Sequence, residues 1–186
     1  MAETVNASSS DAVDFSERRW ALVVAGVVAL VFAVIIFASV HWAAQPPSNV
    51  ETIDASSLHL SGEFMEANLG TAVQPDGSAV VRVIAQQYSF VPSCIVVPTD
   101  TPVVFRMTSP DVIHGLLIAG TNINSMVVPG FVAEVRTRFD KPGEHLMPCH
   151  EYCSVGHEGM WARVKVVDRR EFARDYGGQQ RASCVR

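Results

Sequence analysis

Four side chains that bind transition metals lie close together in one stretch of this sequence. Residues 148–160 read Pro-Cys-His-Glu-Tyr-Cys-Ser-Val-Gly-His-Glu-Gly-Met, and they offer the thiols of Cys149 and Cys153, the imidazole of His157 and the thioether of Met160. Soft sulfur ligands combined with imidazole favour copper, zinc or iron over calcium and magnesium, which prefer oxygen. The stretch therefore predicts a transition-metal site.

The methionine in this stretch favours copper over zinc. Zinc sites pair cysteines and then need a second pair of Cys or His ligands, whereas a thioether is an established axial ligand of copper in electron-transfer sites. A mononuclear copper site needs one cysteine, but this loop has two. Cys149 and Cys153 can face inward together and bridge two copper ions, which then require a further histidine. His114, upstream in Ser-Pro-Asp-Val-Ile-His-Gly, is the candidate.

With His114 included, the sequence resembles the subunit II family of haem-copper cytochrome oxidases, in particular the ba-type class whose subunit II has one membrane helix. The family pattern is an isolated His followed by Cys-x-Glu-x-Cys-x-x-x-His-x-x-Met, and the chain matches all of it. Residues 120–124, 129–130 and 141–143 also match. The resemblance covers about residues 80–167 and the membrane anchor.

This resemblance implies a binuclear copper centre, CuA, in which two cysteines bridge the metals and each ion has two further ligands. Glu151 would supply one of these ligands through its backbone carbonyl, and it also matches a glutamate whose carboxylate reaches a magnesium ion at the boundary with subunit I. The implied copper ligands are His114, Cys149, the carbonyl of Glu151, Cys153, His157 and Met160, with His114 and Met160 completing one ion and His157 and Glu151 the other. His145 and His150 are expected to lie outside the ligand set.

The resemblance also implies the function and the partners of the chain. It would accept single electrons from cytochrome c and pass them to a haem in subunit I, where oxygen is reduced and protons are pumped in a respiratory chain. The haems would belong to the partner subunit alone. An exposed aromatic beside the coppers, Tyr88 or Phe90, is expected to serve electron uptake. Glu17 matches a glutamate at the mouth of a proton channel, although a solvated charge at the membrane surface is the alternative interpretation.

The N-terminal part of the chain predicts a single membrane span. Residues 21–40 carry no charge, and at 1.5 Å per residue they cross a hydrocarbon core of about 30 Å. Trp20 and Trp42 flank this span as interfacial aromatics do. Arg18 and Arg19 precede it and no Lys or Arg follows until Arg82, so the N-terminus is expected in the cytoplasm and the copper domain in the periplasm of a bacterial or archaeal-type inner membrane.

The extramembrane part shows the alternation of short β-strands. Eight apolar segments between residues 79 and 167 predict an all-β, cupredoxin-like Greek-key sandwich behind one N-terminal transmembrane helix. The expected divisions are a cytoplasmic segment 1–19, flexible to residue 16, a helix 20–42, a linker 43–78, a copper domain 79–168 and a solvated tail 169–186. Cys94 and Cys184 are expected to be lone thiols.

Composition excludes one class of partner and leaves rival functions open. The net charge of −5 and the lack of a basic cluster before the C-terminal tail argue against a nucleic-acid partner. A CuA subunit of a nitric oxide reductase would have the same sequence features. A membrane-anchored copper chaperone and a structural zinc domain also remain open as functions.

Overall fold

In a computed structural model of the chain, the described residues are 7–41, 51–58, 60–177, 179 and 181–184. They fall into two compact units, Met1–Asn49 and Val50–Arg186. The first unit contains helix α1, Ala7–His41. Residues 14–40 of this helix are long and apolar enough to cross a bilayer, and their side chains are exposed or partly exposed. A helix that is apolar all round is typical of a membrane span.

Helix α1 begins earlier than the sequence predicts. Residues 7–16 were expected to be flexible, but they continue the helix of the apolar span. Each residue added to an existing helix gains a hydrogen bond without a new nucleation step, so a polar segment can extend a stable span. Trp20 is exposed on this helix, whereas Trp42 lies outside the described residues.

The second unit is a β-sandwich followed by a short helix. The strands are β1 Glu51–Thr52, β2 Gly70–Val73, β3 Ala79–Gln86, β4 Ser89–Val91, β5 Cys94–Pro98, β6 Pro102–Thr108, β7 His114–Leu117, β8 Asn124–Val127, β9 Phe131–Arg138, β10 Gly143–Pro148 and β11 Trp161–Val167. A six-stranded sheet has the order β1-β9-β6-β3-β2, with β4 also paired to β3. Strands β10-β11-β5 form a second sheet, and β7-β8 form a hairpin.

This architecture confirms the predicted fold class of a cupredoxin-like sandwich with one N-terminal helix. Each of the eight predicted segments corresponds to a strand, and the alternation that identified them is seen as burial. Val103, Phe105 and Met107 of β6 point into the main core between the sheets, where they join Ile95 and Val164. A period of two places one face of each strand in the core, and the strands so fixed hold the loops at their ends.

The segment expected to be a linker is largely part of the sandwich. Residues 51–73 contain β1, β2 and two 3₁₀ turns, Ala55–Ser57 and Glu66–Asn68. Leu58, Phe64 and Leu69 are buried against Ile84 in a second core cluster. The linker prediction is wrong for these residues because turns, and not a regular alternation, bring their apolar side chains onto the sheet.

The C-terminal tail is also packed, which corrects a second prediction. Helix α2, Arg169–Asp175, buries Phe172 against Val96 and Val167. Ala182 exchanges two backbone hydrogen bonds with Thr71. Finally, Cys94 and Cys184 form a disulfide, so neither is a lone thiol.

An ion-pair network fastens residues 51–63 to the outer face of the large sheet. Arg106 on β6 makes two hydrogen bonds to Glu63, at 2.7 and 2.6 Å, and it also pairs with Glu51 and Glu134. Arg82 on β3 donates to Glu63 as well, at 2.9 Å. Burial alone would raise the pKa of Glu63, but the hydrogen bonds and charges of the two arginines outweigh burial and hold that pKa below its ordinary value.

Replacing Glu63 with glutamine is expected to lower the free energy of unfolding by about 1.5–3 kcal/mol at neutral pH, the usual contribution of hydrogen bonds to a charged group. Because the folded-state pKa of Glu63 is depressed, its contribution is present above the unfolded pKa of about 4.3 and is lost as the pH falls through the folded value. Urea unfolding of the wild type and Glu63→Gln at pH 7 and pH 3 measures this difference.

The matched control is Glu144→Gln, which removes a carboxylate paired only at the surface with Arg163. Exposed pairs contribute about 0–1 kcal/mol, so this variant should unfold almost as the wild type does. A gap between wild type and Glu63→Gln that stays the same at both pH values would contradict the prediction.

Candidate metal centre

The candidate ligands come from one loop and one neighbouring strand. The loop joins β10 to β11, and its ends are closed by a hydrogen bond from the Cys149 N–H to the Met160 carbonyl at 3.0 Å. Inside the loop, Gly156 has a φ of 106°, a left-handed conformation that glycine adopts without a steric penalty. His114 begins β7, and Leu116 on the same strand bridges to Cys149. The strand and the loop therefore meet at the same end of the sandwich.

Two buried thiols form the middle of the site. Cys149 Sγ and Cys153 Sγ lie 3.8 Å apart, and both residues are free of disulfides. Cys149 Sγ is 3.9 Å from His114 Nδ1 and 3.3 Å from the Glu151 carbonyl oxygen. Cys153 Sγ is 3.6 Å from His157 Nδ1 and 3.7 Å from Met160 Sδ. Thus each thiol lies against one imidazole nitrogen and one further ligand atom.

This donor set fits a transition metal. Bonds from such ions to nitrogen and sulfur are about 2.0–2.3 Å long, so two donors up to about 4.6 Å apart can share one ion. All five separations given above are shorter than that limit. The ligating atoms of His114, Cys149 and Cys153 form a cluster within 4.8 Å, and all three residues are buried. The chemistry is soft and nitrogenous, which suits copper better than a hard cation.

Burial lowers the acidity of one thiol, that of Cys153. Burial raises the pKa of Cys153 to about 11, with a further contribution from the hydrogen bond and the charge of Cys149. The metal ligand is the thiolate. A metal that binds here must therefore displace protons from the site, as is general for thiolate ligands.

His114 is oriented by a carboxylate that the sequence analysis did not single out. Its Nε2 lies 2.9 Å from Asp111 Oδ1, which leaves Nδ1 facing Cys149. Burial alone would raise the pKa of Asp111, but hydrogen bonds from the Gln87 N–H, His114, the Val112 N–H and Ser109 outweigh it and lower the pKa. In the sequence, the only signal for this role of Asp111 was its position three residues before His114.

Two further histidines, His145 and His150, make different contacts. His145 Nδ1 lies 2.8 Å from the Ala119 carbonyl oxygen. His150 Nε2 hydrogen-bonds Asn124 Oδ1, and its ring covers Gly115 so closely that a Cβ there would lie 2.3 Å from His150 Nδ1. The place of His150 thus depends on a glycine directly after His114.

The two aromatics expected to serve electron uptake differ in exposure. Phe90 is 1% exposed and belongs to the main core, so the prediction of an exposed aromatic is wrong for this residue. Tyr88 is 42% exposed, and its ring lies 3.3 Å from the position of a Cβ at Gly156, next to His157. Sequence reasoning missed Tyr152, whose exposed ring lies 5.9 Å from the His157 ring centre to centre.

The remaining site residues occupy different positions. The backbone of Glu151 contacts Cys149, as described, and its side chain is partly exposed. Glu17 is exposed on helix α1. The structure brings the six implied copper ligands together in the second unit, and Glu17 belongs to the first unit.

The comparisons with known proteins point to the same family. Residues 78–167 match the family model described as cytochrome c oxidase subunit II, periplasmic domain. The chain is 36% identical over 123 residues to cytochrome c oxidase subunit 2 of Thermus thermophilus, which covers 66% of this chain and 91% of that protein. It is 37% identical over 84 residues to haem-copper oxidase subunit 2 of Aeropyrum pernix, covering 44% and 36% of the two proteins.

A solved structure is similar over a larger part of the chain. A chain in the cryo-EM structure of a haem-copper terminal oxidase dimer superposes with a TM-score of 0.59 at 26% identity. The match covers 81% of this chain and 99% of that one. The similarity therefore extends well beyond the matched periplasmic domain.

Proposed function

Because the chain belongs to the cytochrome c oxidase subunit II family, we propose that it is the electron-accepting subunit of a respiratory haem-copper oxidase and carries a binuclear copper centre. It would take single electrons from cytochrome c and deliver them to haem in subunit I, where oxygen reduction drives proton pumping. The observation that carries this proposal is the pair of buried thiols 3.8 Å apart with four further ligand atoms around them.

The arrangement of those ligand atoms favours two bridged ions over one. Cys149 lies against His114 and the Glu151 carbonyl, which the family pattern assigns to different ions, and Cys153 lies against Met160 and His157, which are also divided between the two ions. Each sulfur therefore lies beside one donor that would belong to each ion, as a bridging ligand would. A copper pair bound here would supply a one-electron carrier.

The chain's own residues would hold such a pair and shield it from water. Cys149, Cys153 and Met160 are buried in the main core, which fixes three sulfur atoms beside rigid strand ends. Rigid supporting elements hold a site in one geometry more accurately than a free loop does. Little rearrangement is then needed when one electron arrives or leaves.

Two features support a periplasmic position for the copper domain. Arg18 and Arg19 lie on the N-terminal side of the membrane span. By the positive-inside rule, the side of a span that carries the basic residues faces the cytoplasm. In addition, the disulfide between Cys94 and Cys184 is typical of an oxidising compartment such as the periplasm. We therefore place the N-terminus in the cytoplasm and the sandwich outside.

The proposal is tested on the full-length chain in detergent after copper loading. We expect a pair of copper ions per chain, an EPR spectrum in which one unpaired electron is shared by both, and rapid reduction by cytochrome c. A single ion per chain, a colourless zinc protein, or copper that exchanges freely as Cu(I) without a shared-electron spectrum would contradict it, the last outcome favouring a copper chaperone.

Tyr88 is the proposed residue for electron uptake, because its exposed ring lies against the copper loop, residues 149–160, at Gly156. Tyr88→Ala is expected to slow electron uptake from cytochrome c at least about tenfold, the usual order for removing an aromatic anchor of an interface. Stopped-flow oxidation of reduced cytochrome c measures the rate.

Two substitutions make this measurement specific. Tyr88→Phe keeps the ring and should react nearly as the wild type does, and Tyr176→Ala removes a tyrosine that packs on Phe172 in α2. If Tyr88→Ala transfers electrons within twofold of the Tyr176→Ala control, Tyr88 does not serve electron uptake.

Two further roles follow from the resemblance. Glu17 would lie at the mouth of a proton channel into subunit I, and Glu17→Gln in the assembled oxidase should then slow proton uptake; unchanged uptake would leave it a solvated surface charge. The carboxylate of Glu151 would reach a magnesium ion shared with subunit I. Loss of bound magnesium from the complex in Glu151→Gln, with copper retained, is the expected result for that site.

A further inference from the structure

One carboxylate contacts both an implied copper ligand and the turn that carries Tyr88. Asp111 Oδ1 lies 2.9 Å from His114 Nε2, and Asp111 Oδ2 accepts a hydrogen bond from the Gln87 N–H at 2.7 Å. The same carboxylate is fixed in place by the Val112 N–H at 2.6 Å and by Ser109 Oγ at 3.0 Å. Asp111 therefore has a single well-supported orientation.

The contact with His114 decides which ring nitrogen is free. A carboxylate accepts hydrogen bonds, so Nε2 carries the proton and Nδ1 presents its lone pair toward Cys149 Sγ, 3.9 Å away. A carboxylate partner of this kind also makes a ligating imidazole more basic. His114 is fully buried, so water does not compete with Asp111 for the ring nitrogen.

The contact with Gln87 extends this arrangement to the copper loop. Gln87 uses its backbone N–H on Asp111, and its side-chain Nε2 donates to the Cys153 carbonyl at 2.8 Å. The next residue is Tyr88, whose ring lies against Gly156 of the same loop. Gln87 thus joins the carboxylate, the second bridging cysteine and the exposed aromatic.

We propose that Asp111 is a positioning residue for the copper centre and that, with Gln87, it forms a brace which holds His114, Cys153 and Tyr88 in one fixed arrangement. This inference rests on the proposed function for its copper chemistry. The brace itself consists of contacts within the protein and exists without metal. The positions of the buried ligand His114 and of the exposed ring of Tyr88 therefore depend on the same side chain, that of Asp111.

The test compares D111N with D100N in the full-length chain. An amide can still accept from His114, but its NH₂ group cannot accept from the Gln87 N–H, and the negative charge beside the ligand is lost. Asp100 is the matched control because, among the described residues, its carboxylate hydrogen-bonds only to the surface residue Arg138. Both variants are made with and without copper.

In the metal-free chain, D111N should exchange the Gln87 amide hydrogen at least about tenfold faster than the wild type, the loss expected for a bond to a charged acceptor. In the copper-loaded chain, copper affinity should fall by about 10–100-fold, as it does when a group behind a ligand is removed, and the reduction potential should rise because a negative charge no longer favours the oxidised site. D100N should match the wild type in all three measurements.

A second variant guards against misfolding of D111N. Gln87→Leu keeps the backbone N–H but cuts the bond to Cys153, so it should weaken copper binding while leaving amide exchange at residue 87 slow. Unchanged exchange in D111N, or affinity and potential equal to those of D100N, would overturn the inference. If the wild type bound no copper pair, the proposed function would fail, and the metal-free exchange would still decide whether the brace exists.

Discussion

Cys153→Ser is expected to abolish the binuclear centre. Cys153 Sγ lies within 3.8 Å of Cys149 Sγ, His157 Nδ1 and Met160 Sδ. It therefore contacts side-chain ligands of both implied ions. A serine hydroxyl is a hard ligand that does not ionise near neutral pH, and copper requires the soft thiolate. Serine is nearly isosteric, which leaves the surrounding core packed.

The expected loss exceeds that caused by changes behind the ligands. Removing an outer partner of a metal site costs about 10–100-fold in affinity or activity, whereas removing Cys153 takes a direct ligand from both implied ions and leaves Cys149 as the one remaining bridging sulfur. We therefore expect at most one weakly held copper per chain, no shared-electron EPR spectrum, and electron uptake from cytochrome c lowered by more than about 100-fold. Metal analysis, EPR and stopped-flow kinetics on the full-length chain measure these three quantities.

The second cysteine pair provides the control. Replacing both Cys94 and Cys184 with serine removes sulfur atoms from the same unit, but these two form a disulfide with each other and do not belong to the buried ligand cluster. That variant should keep its copper and its spectrum. Full copper content and an unchanged spectrum in Cys153→Ser would show that the thiol is not a bridging ligand.

The proposed ligands in the loop between β10 and β11 could be picked out from the sequence because their pattern is local. Four of the six implied side-chain and backbone ligands fall between Cys149 and His157 in the chain, and the chemical types of the ligands determine the metal class. His114 followed from the count of ligands that two bridged ions need. The strands were recognised because a period of two survives in any half-buried strand.

Features that depend on distant contacts could not be read from the sequence in the same way. Leu58, Phe64 and Leu69 reach the core through turns, so their spacing matches neither a helix nor a strand. Tyr88 and Phe90 are only two residues apart, yet which of them faces solvent depends on the position of β4 in the sandwich. Asp111 gains its hydrogen bond from Gln87, which is distant in the chain, only in the folded sandwich.

The disulfide is a further case, because cysteine pairing cannot be deduced from sequence alone. Cys94 and Cys184 are 90 residues apart, and Cys184 lies in a segment whose basic, polar composition resembled a solvated tail. In the fold, its N–H donates to the Cys94 carbonyl, and Ser183 pairs with Ile95. The tail is therefore an additional edge of the sandwich, closed by a covalent bond.

Removing this disulfide by the double replacement of Cys94 and Cys184 with serine is expected to have the largest effect on stability. A crosslink across 90 residues restricts the unfolded chain strongly, and losing a native disulfide typically costs about 2–5 kcal/mol. For a unit of this size that corresponds to a fall in the melting temperature of about 10 °C. Near-ultraviolet circular dichroism of the metal-free, full-length chain follows the transition.

The packing of the tail determines how the variant should behave below its melting temperature. Phe172 and Ala182 remain apolar partners of Val96 and Val167, so the tail should stay docked at low temperature and be lost first on heating. Ser183→Ala, beside Cys184, is the control for local disturbance and should melt as the wild type does. A double variant that melted within about 2 °C of Ser183→Ala would mean that packing alone fixes the tail and that the covalent bond adds no stability to the sandwich.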